Sequence, residues 1–297
     1  MTEKVGIIGV GIMGTKMNGA LREAGYDMIA RDIDPEAEER AEGMGATVVK
    51  SPAAVARETQ VILLSLPGPD DVEEVLCRES DGILSVASPG HVVVDLSTVD
   101  PFSTRRNFAT AREKGVGFLD SPVMGRPGSC GKWTFPTGGE AADLDRVKSI
   151  LDHLAANVPH VGPSGNGNVL KLCNNLMFGA INAVTAEVLT ICAGMGINPR
   201  LFFDTIAPSS ASSVSPLFKE VGGKILDRDY TPLFSIDNLI KDMRLGIEMG
   251  KAAGVELMVA ESNQKINFLA REDGLGAEDT AAVVKVFERL CKFQVGG

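Results

Sequence analysis

A lysine and two amides lie close together on an otherwise apolar predicted helix in residues 165–175. Residues three and four positions apart share a helix face, so Lys171, Asn174 and Asn175 point roughly the same way. Apolar neighbours can lower the pKa of a lysine toward neutrality, which suits proton transfer to or from an alcohol oxygen. The segment therefore indicates a proton donor or acceptor, and a solvated lysine with two surface amides is the ordinary alternative.

A glycine-rich turn follows a short apolar run near the N-terminus and has the spacing G-x-G-x-x-G. The first glycine permits a tight turn, the second lets a pyrophosphate approach the backbone, and the third lets the next helix pack closely. The apolar run before the turn and the helical pattern after it supply the context that this motif requires. The predicted cofactor-binding residues of the turn are Gly9, Gly11, Ile12, Met13 and Gly14.

Arg31 and Asp32 stand at the end of the second predicted strand, residues 27–30. An acidic residue about 20 positions beyond the glycines binds the ribose hydroxyls and repels a 2′-phosphate, so Asp32 favours NAD. Arg31 could accommodate that phosphate, which leaves NADP as the alternative cofactor. Asp32 could also be a turn residue or a helix cap.

The first half of the chain alternates short apolar strands with helical stretches, as in a doubly wound, mainly parallel sheet. Strands are expected over residues 5–8, 27–30, 61–64, 92–95, 117–120 and 132–137. Ligands of such sheets bind at the carboxyl ends of the strands. The candidate site residues there are Leu66, Pro67, Ser97, Thr98 and the segment 121–126.

The second half has helical patterns over residues 167–195, 200–206, 236–253 and 256–272, and no convincing strand. We therefore predict an α/β domain over residues 1–164 and an all-α domain over residues 165–297. A helix that spans about 40 Å at 1.5 Å per residue would join them. Lys171, near the start of that helix, would face the cleft.

The 297-residue chain carries a formal net charge of −10 without a basic cluster, which argues against a nucleic-acid partner. The start of the chain has no signal-peptide pattern and the apolar runs are too short or too interrupted to span a bilayer, so a cytoplasmic protein is expected. Five scattered cysteines without a C-x-x-C and three histidines indicate reduced thiols and no metal site. A small anionic substrate would depend on a few local cations.

Five motifs in one order resemble the β-hydroxyacid dehydrogenase family, which includes 3-hydroxyisobutyrate dehydrogenase, tartronate semialdehyde reductase and sulfolactaldehyde reductase. The motifs are G-I-I-G-V-G-I-M-G at 6–14, D-L-S-T-V-D-P at 95–101, D-S-P-V-M-G at 120–125, G-N-G-N-V-L-K-L-C-N-N at 165–175 and F-S-I-D-N-L-I-K-D-M at 234–243. The resemblance implies a Rossmann domain and an all-α domain joined by a long helix. It also implies reversible hydride transfer between a 3-hydroxy acid and its semialdehyde, with NAD or NADP and without a metal.

The resemblance also implies roles for individual residues. Lys171 would be the catalytic lysine, and Asn175 would hold substrate with Asn174 beside it. Ser97 and Thr98 would lie near the nicotinamide and the substrate carboxylate. Lys241 would contact the cofactor from the second domain. The apolar helices of that domain could form an intersubunit surface, which predicts a homodimer or a homotetramer.

One loop departs from the family pattern, which usually reads S-G-G-x-x-G-A-x-x-G-T-L. Here residues 124–134 read M-G-R-P-G-S-C-G-K-W-T. Met124 replaces the usual serine, and Arg126 adds a planar bidentate donor beside Gly125, so a different acid group should be preferred. A sulfonate or a second carboxylate is therefore an alternative substrate feature, unless Arg126 faces solvent. Trp133 is expected in the core or at an interface rather than in a substrate lid.

Other functions fit the residues less well. Imine reductases share the two-domain plan but typically carry another residue where Lys171 stands. A non-catalytic nicotinamide-binding module would be expected to lose that lysine and to gain a basic extension. A Ser-His-Asp hydrolase lacks support because the chain has no G-x-S-x-G motif.

Overall fold

The computed structural model describes residues 3–211 and 213–297. The chain divides into two compact units, Met1–Lys171 and Leu172–Gly297. This division falls inside one long helix, whereas the sequence predicts that the second domain begins at residue 165. The first turn of that helix is hydrogen-bonded to the first unit. The boundary between the two units therefore lies after Lys171 rather than at residue 165.

Six parallel strands form the sheet of the first unit in the order β3-β2-β1-β4-β5-β6. This order places a topological switch point between β1 and β4, the two strands from which the chain winds in opposite directions. The predicted doubly wound parallel sheet is confirmed. The strands are β1 Lys4–Ile8, β2 Asp27–Arg31, β3 Thr47–Val48, β4 Val61–Leu64, β5 Val92–Asp95 and β6 Gly117–Asp120.

Both faces of this sheet are covered, so its strands read as nearly continuous apolar runs. Ile7 and Leu63 belong to one buried cluster and Ile62 and Phe118 to the other, and all four are fully buried. Complete burial on both faces is why the central strands could be recognised from the sequence.

Two short strands form a separate parallel pair, β7 Trp133–Thr134 and β8 Ala155–Asn157. The strand expected over residues 132–137 is thus much shorter than predicted. Its partner β8 was not predicted.

Six helices pack on the main sheet, and proline and side-chain caps define where several of them begin. Asp100, for example, accepts hydrogen bonds from Phe102 N and Ser103 N before a proline at the first helical position. The helices are α1 Ile12–Glu23, α2 Pro35–Gly43, α3 Pro52–Glu58, α4 Pro69–Cys77, α5 Pro101–Glu113 and α6 Ala141–Leu151.

The second unit is helical, and no strand occurs in its described residues, as expected from the sequence. The helix α7 Asn166–Gly194 starts in the first unit and continues into the second. The remaining helices are α8 Pro199–Ile206, α9 Pro216–Asp227, α10 Ile236–Ala252, α11 Met258–Glu272 and α12 Val284–Cys291. Of these, α9 and α12 were not predicted from the sequence.

Helix α7 corrects one expectation about apolar runs. It is long and apolar enough, by length and composition, to cross a membrane. The expectation that every apolar run is too short or too interrupted is therefore wrong for this helix. Core helices of soluble proteins can have the same length and composition, and 44% of the apolar stretch of α7 is buried within the structure.

Candidate functional site

The glycine turn joins β1 to α1 with little room for side chains. Gly9 has a φ of +89°, and a Cβ there would lie 2.2 Å from the carbonyl oxygen of Ser65. A Cβ on Gly14 would lie 1.9 Å from the carbonyl oxygen of Gly9, whereas Gly11 faces open space. The first and third glycines are thus required by the backbone, and the second leaves an open approach to the start of α1. Ile12 is exposed there, and Met13 is half-buried.

Asp32 is tied to the glycine turn by its carboxylate. Its Oδ2 accepts a hydrogen bond of 2.7 Å from Val10 N, and its backbone N donates to Glu38 Oε1. The neighbouring Arg31 forms an ion pair with the same Glu38 oxygen at 2.6 Å and also donates to the carbonyl of Asp32. The guanidinium is therefore engaged by the chain itself beside two carboxylates.

The loops that follow β4 and β5 are connected by a serine. The hydroxyl of Ser97 accepts a hydrogen bond of 2.9 Å from Leu66 N, and Ser97 N donates to Asp95 Oδ1 at 3.0 Å. Asp95 is fully buried and Ser97 nearly so. Thr98 is half-buried beside Ser97, and Pro67 is exposed beside Leu66.

A buried carboxylate connects β6 with the start of α7. Asp120, the last residue of β6, is fully buried. Its two carboxylate oxygens accept hydrogen bonds from Gly165 N at 2.7 Å and Asn168 N at 3.0 Å. Burial raises the pKa of Asp120, and the backbone donors oppose that rise. A negative charge at a helix N-terminus is also favourable, so Asp120 acts as a cap supplied by a distant strand.

Asn168 adds a second connection between α7 and the first unit. Its side chain is fully buried, accepts from Val99 N at 3.3 Å and donates to Thr104 Oγ1 at 3.1 Å. Gly167 allows this close approach, because a Cβ there would lie 2.4 Å from Pro136 O. The first turn of α7 is therefore fixed to the loop after β5 as well as to β6.

Lys171 lies three residues after Asn168 on this fixed turn and is half-buried. The next helical turn carries Asn174, which is exposed, and Asn175, which is 4% exposed. The helix thus places Lys171 and Asn175 four residues apart on one face, as predicted from their spacing. Leu172 between them is fully buried.

A polar cluster within the second unit involves Asn175, Asp242 and Lys241. Asn175 Nδ2 donates to Asp242 Oδ2 at 2.6 Å, and Lys241 Nζ lies 2.7 Å from Asp242 Oδ1. Asn174 Nδ2 donates to Asn175 Oδ1 at 3.3 Å. Asp242 is 3% exposed, so a buried carboxylate sets the orientation of the Asn175 amide.

The divergent loop leaves the end of β6 and returns to it. Met124 forms an antiparallel bridge with Thr134, and both Met124 and Arg126 are half-buried, whereas Gly125 is exposed. Trp133 is fully buried in the core, which confirms the expectation that it is no substrate lid.

Comparison with known proteins decides the family. Residues 4–162 match the family described as the NAD-binding domain of 6-phosphogluconate dehydrogenase. Residues 165–287 match the family described as NAD-binding of NADP-dependent 3-hydroxyisobutyrate dehydrogenase. The chain belongs to the β-hydroxyacid dehydrogenase family.

Individual relatives agree over nearly the whole length of this dehydrogenase. A 2-(hydroxymethyl)glutarate dehydrogenase of Eubacterium barkeri is 32% identical over 99% of this chain and 98% of its own. A probable mitochondrial 3-hydroxyisobutyrate dehydrogenase of Dictyostelium discoideum is 32% identical over 95% and 90%. The structure of 3-hydroxyisobutyrate dehydrogenase from Salmonella typhimurium has a TM-score of 0.86 at 28% identity, and the match covers 96% of this chain and 100% of that one.

The family makes this protein an NAD(P)-dependent oxidoreductase that acts on a CH–OH group. The first unit fits such a cofactor on its own geometry. Gly11 leaves open space where a pyrophosphate must approach, and no side-chain hydrogen bond from Gly11 caps the helix that begins there, so its first backbone N–H groups can receive a phosphate. The Asp32 carboxylate lies against the same turn, as ribose recognition requires.

Sequence reasoning missed the residues that hold the others in place, namely Asp95, Asp120, Asn168 and Asp242. The three aspartates stand inside the motifs D-L-S-T, D-S-P and K-D, so the sequence contained a signal that could have identified them. Asp95 bonds to Ser97 N two positions away, but the other partners lie far apart in sequence, 48 positions for Asp120 and Asn168 and 67 for Asn175 and Asp242. Spacing within one element cannot reveal such pairs.

Asn168→Ala should lower kcat about tenfold while leaving the KM for the dinucleotide nearly unchanged, because the turn that carries Lys171 loses two buried hydrogen bonds. Steady-state kinetics with the dinucleotide varied measures both quantities. The matched control is Asn166→Ala, which removes an amide hydrogen bond to Val161 O on the same turn. Equal losses in both variants would contradict a specific role for Asn168.

Proposed function

We propose that this enzyme transfers a hydride reversibly between a small 3-hydroxy acid and its semialdehyde, with Lys171 as the proton donor and acceptor. The observation that carries this proposal is the placement of Lys171 on a helical turn fixed by Asp120 and Asn168. An ordinary surface lysine needs no such support, whereas general acid–base catalysis depends on a positioned group.

The proton chemistry follows from the two charge states of the lysine. A bound nicotinamide cofactor supplies the hydride in reduction and accepts it in oxidation. In reduction, protonated Lys171 stabilises the negative charge that develops on the carbonyl oxygen and donates its proton to it. In oxidation, neutral Lys171 accepts the hydroxyl proton.

Recognition of the substrate acid group falls to neutral donors at the ends of the strands and on α7. The Ser97 hydroxyl accepts from Leu66 N and so keeps its own hydrogen to donate. Thr98 follows it in the same loop. On α7, Asn175 directs its amide nitrogen to Asp242, with Asn174 as its neighbour. We assign Ser97, Thr98, Asn174 and Asn175 to substrate binding.

Lys171→Ala should lower kcat by about 10²-fold or more and leave dinucleotide affinity intact, because the proton donor is lost while the glycine turn is untouched. Lys171→Arg is the matched control, since it keeps the positive charge but holds its proton too tightly to exchange it. Its kcat should also fall. Near-normal turnover by Lys171→Ala in a nicotinamide absorbance assay would refute the mechanism.

We further propose that NAD is preferred to NADP. Arg31 is already engaged by Glu38 and by the carbonyl of Asp32, and two carboxylates gather beside the glycine turn. A 2′-phosphate at this position would be repelled by the carboxylates of Asp32 and Glu38, and the Arg31 guanidinium that could bind it is already engaged. In the cofactor site we also place Leu66, Pro67 and Thr98, and Lys241 from the second unit.

The kcat/KM for NAD should exceed that for NADP by about tenfold or more, because each carboxylate disfavours the extra phosphate. Asp32→Ser should narrow this ratio by weakening NAD and improving NADP. Glu38→Gln tests the neighbouring charge and should change the ratio in the same direction. A wild-type preference for NADP would contradict the assignment.

A second candidate substrate class is either a sulfonate analogue, whose acid group Arg126 would bind, or a substrate with a second carboxylate. Arg126 in the divergent loop after β6 supports it, since its planar donors match such groups. The relative named 2-(hydroxymethyl)glutarate dehydrogenase acts, by its name, on a dicarboxylate.

We also propose a homodimer or homotetramer in the cytoplasm. Met177, Val184 and Ile191 recur every seven residues on α7 and are 66%, 50% and 58% exposed. Such an apolar stripe on a helix favours packing against another helix.

Light scattering after size exclusion should give at least twice the chain mass of 31.3 kDa. Ile191→Glu should shift the mass toward that of the monomer, because it places a charge in the apolar stripe. Val184→Glu should do the same. A monomeric wild type, or two variants with unchanged mass, would contradict the proposed oligomer.

A further inference from the structure

The one tryptophan of the chain makes a directed contact with the divergent loop. Trp133 is fully buried, and its indole N–H donates a hydrogen bond of 2.8 Å to the carbonyl oxygen of Arg126. The ring also packs near Phe135, with 6.0 Å between the ring centroids. A core residue thus reaches the backbone of the arginine that distinguishes this loop.

The face of the same ring restricts the residue before Arg126. A Cβ on Gly125 would lie 2.1 Å from Trp133 Cδ1 and 2.9 Å from Nε1. Gly125 itself is exposed to solvent, and the three atoms nearest to that Cβ position all belong to the indole. The loop backbone at Gly125 therefore lies close to the indole ring.

Further contacts hold Arg126 from the opposite side of the loop. Its carbonyl oxygen also accepts from Ser129 N and Ser129 Oγ, both at 2.9 Å, and its own N donates to Ser129 Oγ at 3.2 Å. Pro127 limits Arg126 to extended backbone, as its φ of −93° and ψ of 157° show. Two hydrogen bonds between Met124 and Thr134 close the loop at its ends.

We propose that Trp133 is a positioning residue that sets the acid-group specificity of this enzyme by presenting Arg126 in one backbone conformation. The loop follows β6 at the carboxyl edge of the sheet, where ligands of such sheets bind, and Ser121 N bonds to Asp95 O of the neighbouring β5. Because the loop is already ordered in the folded protein, binding a ligand does not cost the conformational entropy of ordering it. The inference rests on the proposed role of Arg126.

The ligand chemistry is the anionic group that Arg126 binds, either a second carboxylate beyond the acid group assigned to Ser97 and Thr98, or a sulfonate that is itself the acid group of the substrate. A carboxylate and a sulfonate share the negative oxygens that a guanidinium binds. The three probes are 3-hydroxyisobutyrate, which has one acid group, 2-(hydroxymethyl)glutarate, which has two carboxylates, and 2,3-dihydroxypropanesulfonate, whose acid group is a sulfonate. Wild type should prefer one of the last two, and the preferred one identifies the anion.

The experiment measures kcat/KM on all three probes for wild type, Trp133→Phe, Arg126→Ala and the double variant. Trp133→Phe keeps a ring but removes the N–H, so the preference should fall about tenfold through KM, with kcat nearly unchanged. Arg126→Ala should abolish the preference. The double variant should match Arg126→Ala, because both changes act on one interaction.

The matched control is Phe135→Leu, which disturbs the same core without touching the loop backbone. It should change kcat/KM on the three probes by one common factor. The inference is overturned if Trp133→Phe acts on all probes alike, if its loss adds to that of Arg126→Ala, or if wild type has no preference that depends on Arg126.

Failure of the proposed function would look different from failure of this inference. Activity that survives Lys171→Ala would refute the proton-transfer role and leave the comparison of Trp133 and Arg126 variants intact. Activity that requires Lys171 together with an unchanged preference in Trp133→Phe would overturn only the role of Trp133.

Discussion

The carboxylate of Asp120 holds the first turn of α7 to the end of β6, and the arrangement of the site depends on it. Burying this charge is costly, as the raised pKa shows, and two backbone N–H donors at a helix N-terminus offset much of that cost. Asn168 then ties the same turn to the loop after β5. Lys171, the proposed proton donor and acceptor, follows three residues after Asn168 on the same helix.

Two other buried carboxylates, those of Asp95 and Asp242, also orient polar groups of the candidate site. Asp95 holds the backbone of Ser97, whose hydroxyl in turn holds Leu66 N. Asp242 orients the amide of Asn175 and pairs with a lysine. Each acid is buried, and each accepts a hydrogen bond from a residue in or beside the candidate site. In this chain of net negative charge, buried carboxylates thus orient neutral donors and a lysine, which we propose bind the substrate and the cofactor.

Local patterns predicted the parts of the fold that local forces determine. The strands β1, β2, β4, β5 and β6 are buried on both faces of the sheet, and the glycine turn needs residues without Cβ, so both could be found from the sequence. The strands β3 and β8 have two and three residues, and tertiary pairing rather than propensity forms them. Contacts over long sequence separations, such as Asp120 with Asn168, leave no local signal, and the hydrogen bond of Trp133 to Arg126 depends on how a loop folds back.

We propose that Lys171 exchanges a proton with the substrate oxygen. The most direct test is a crystal structure of the enzyme with bound NAD(P)⁺ and a 3-hydroxy acid. We expect Lys171 Nζ to lie about 2.6–3.2 Å from the hydroxyl oxygen of the substrate, within hydrogen-bonding reach. A hydroxyl oxygen bound by another titratable side chain, with Lys171 Nζ out of reach, would contradict it.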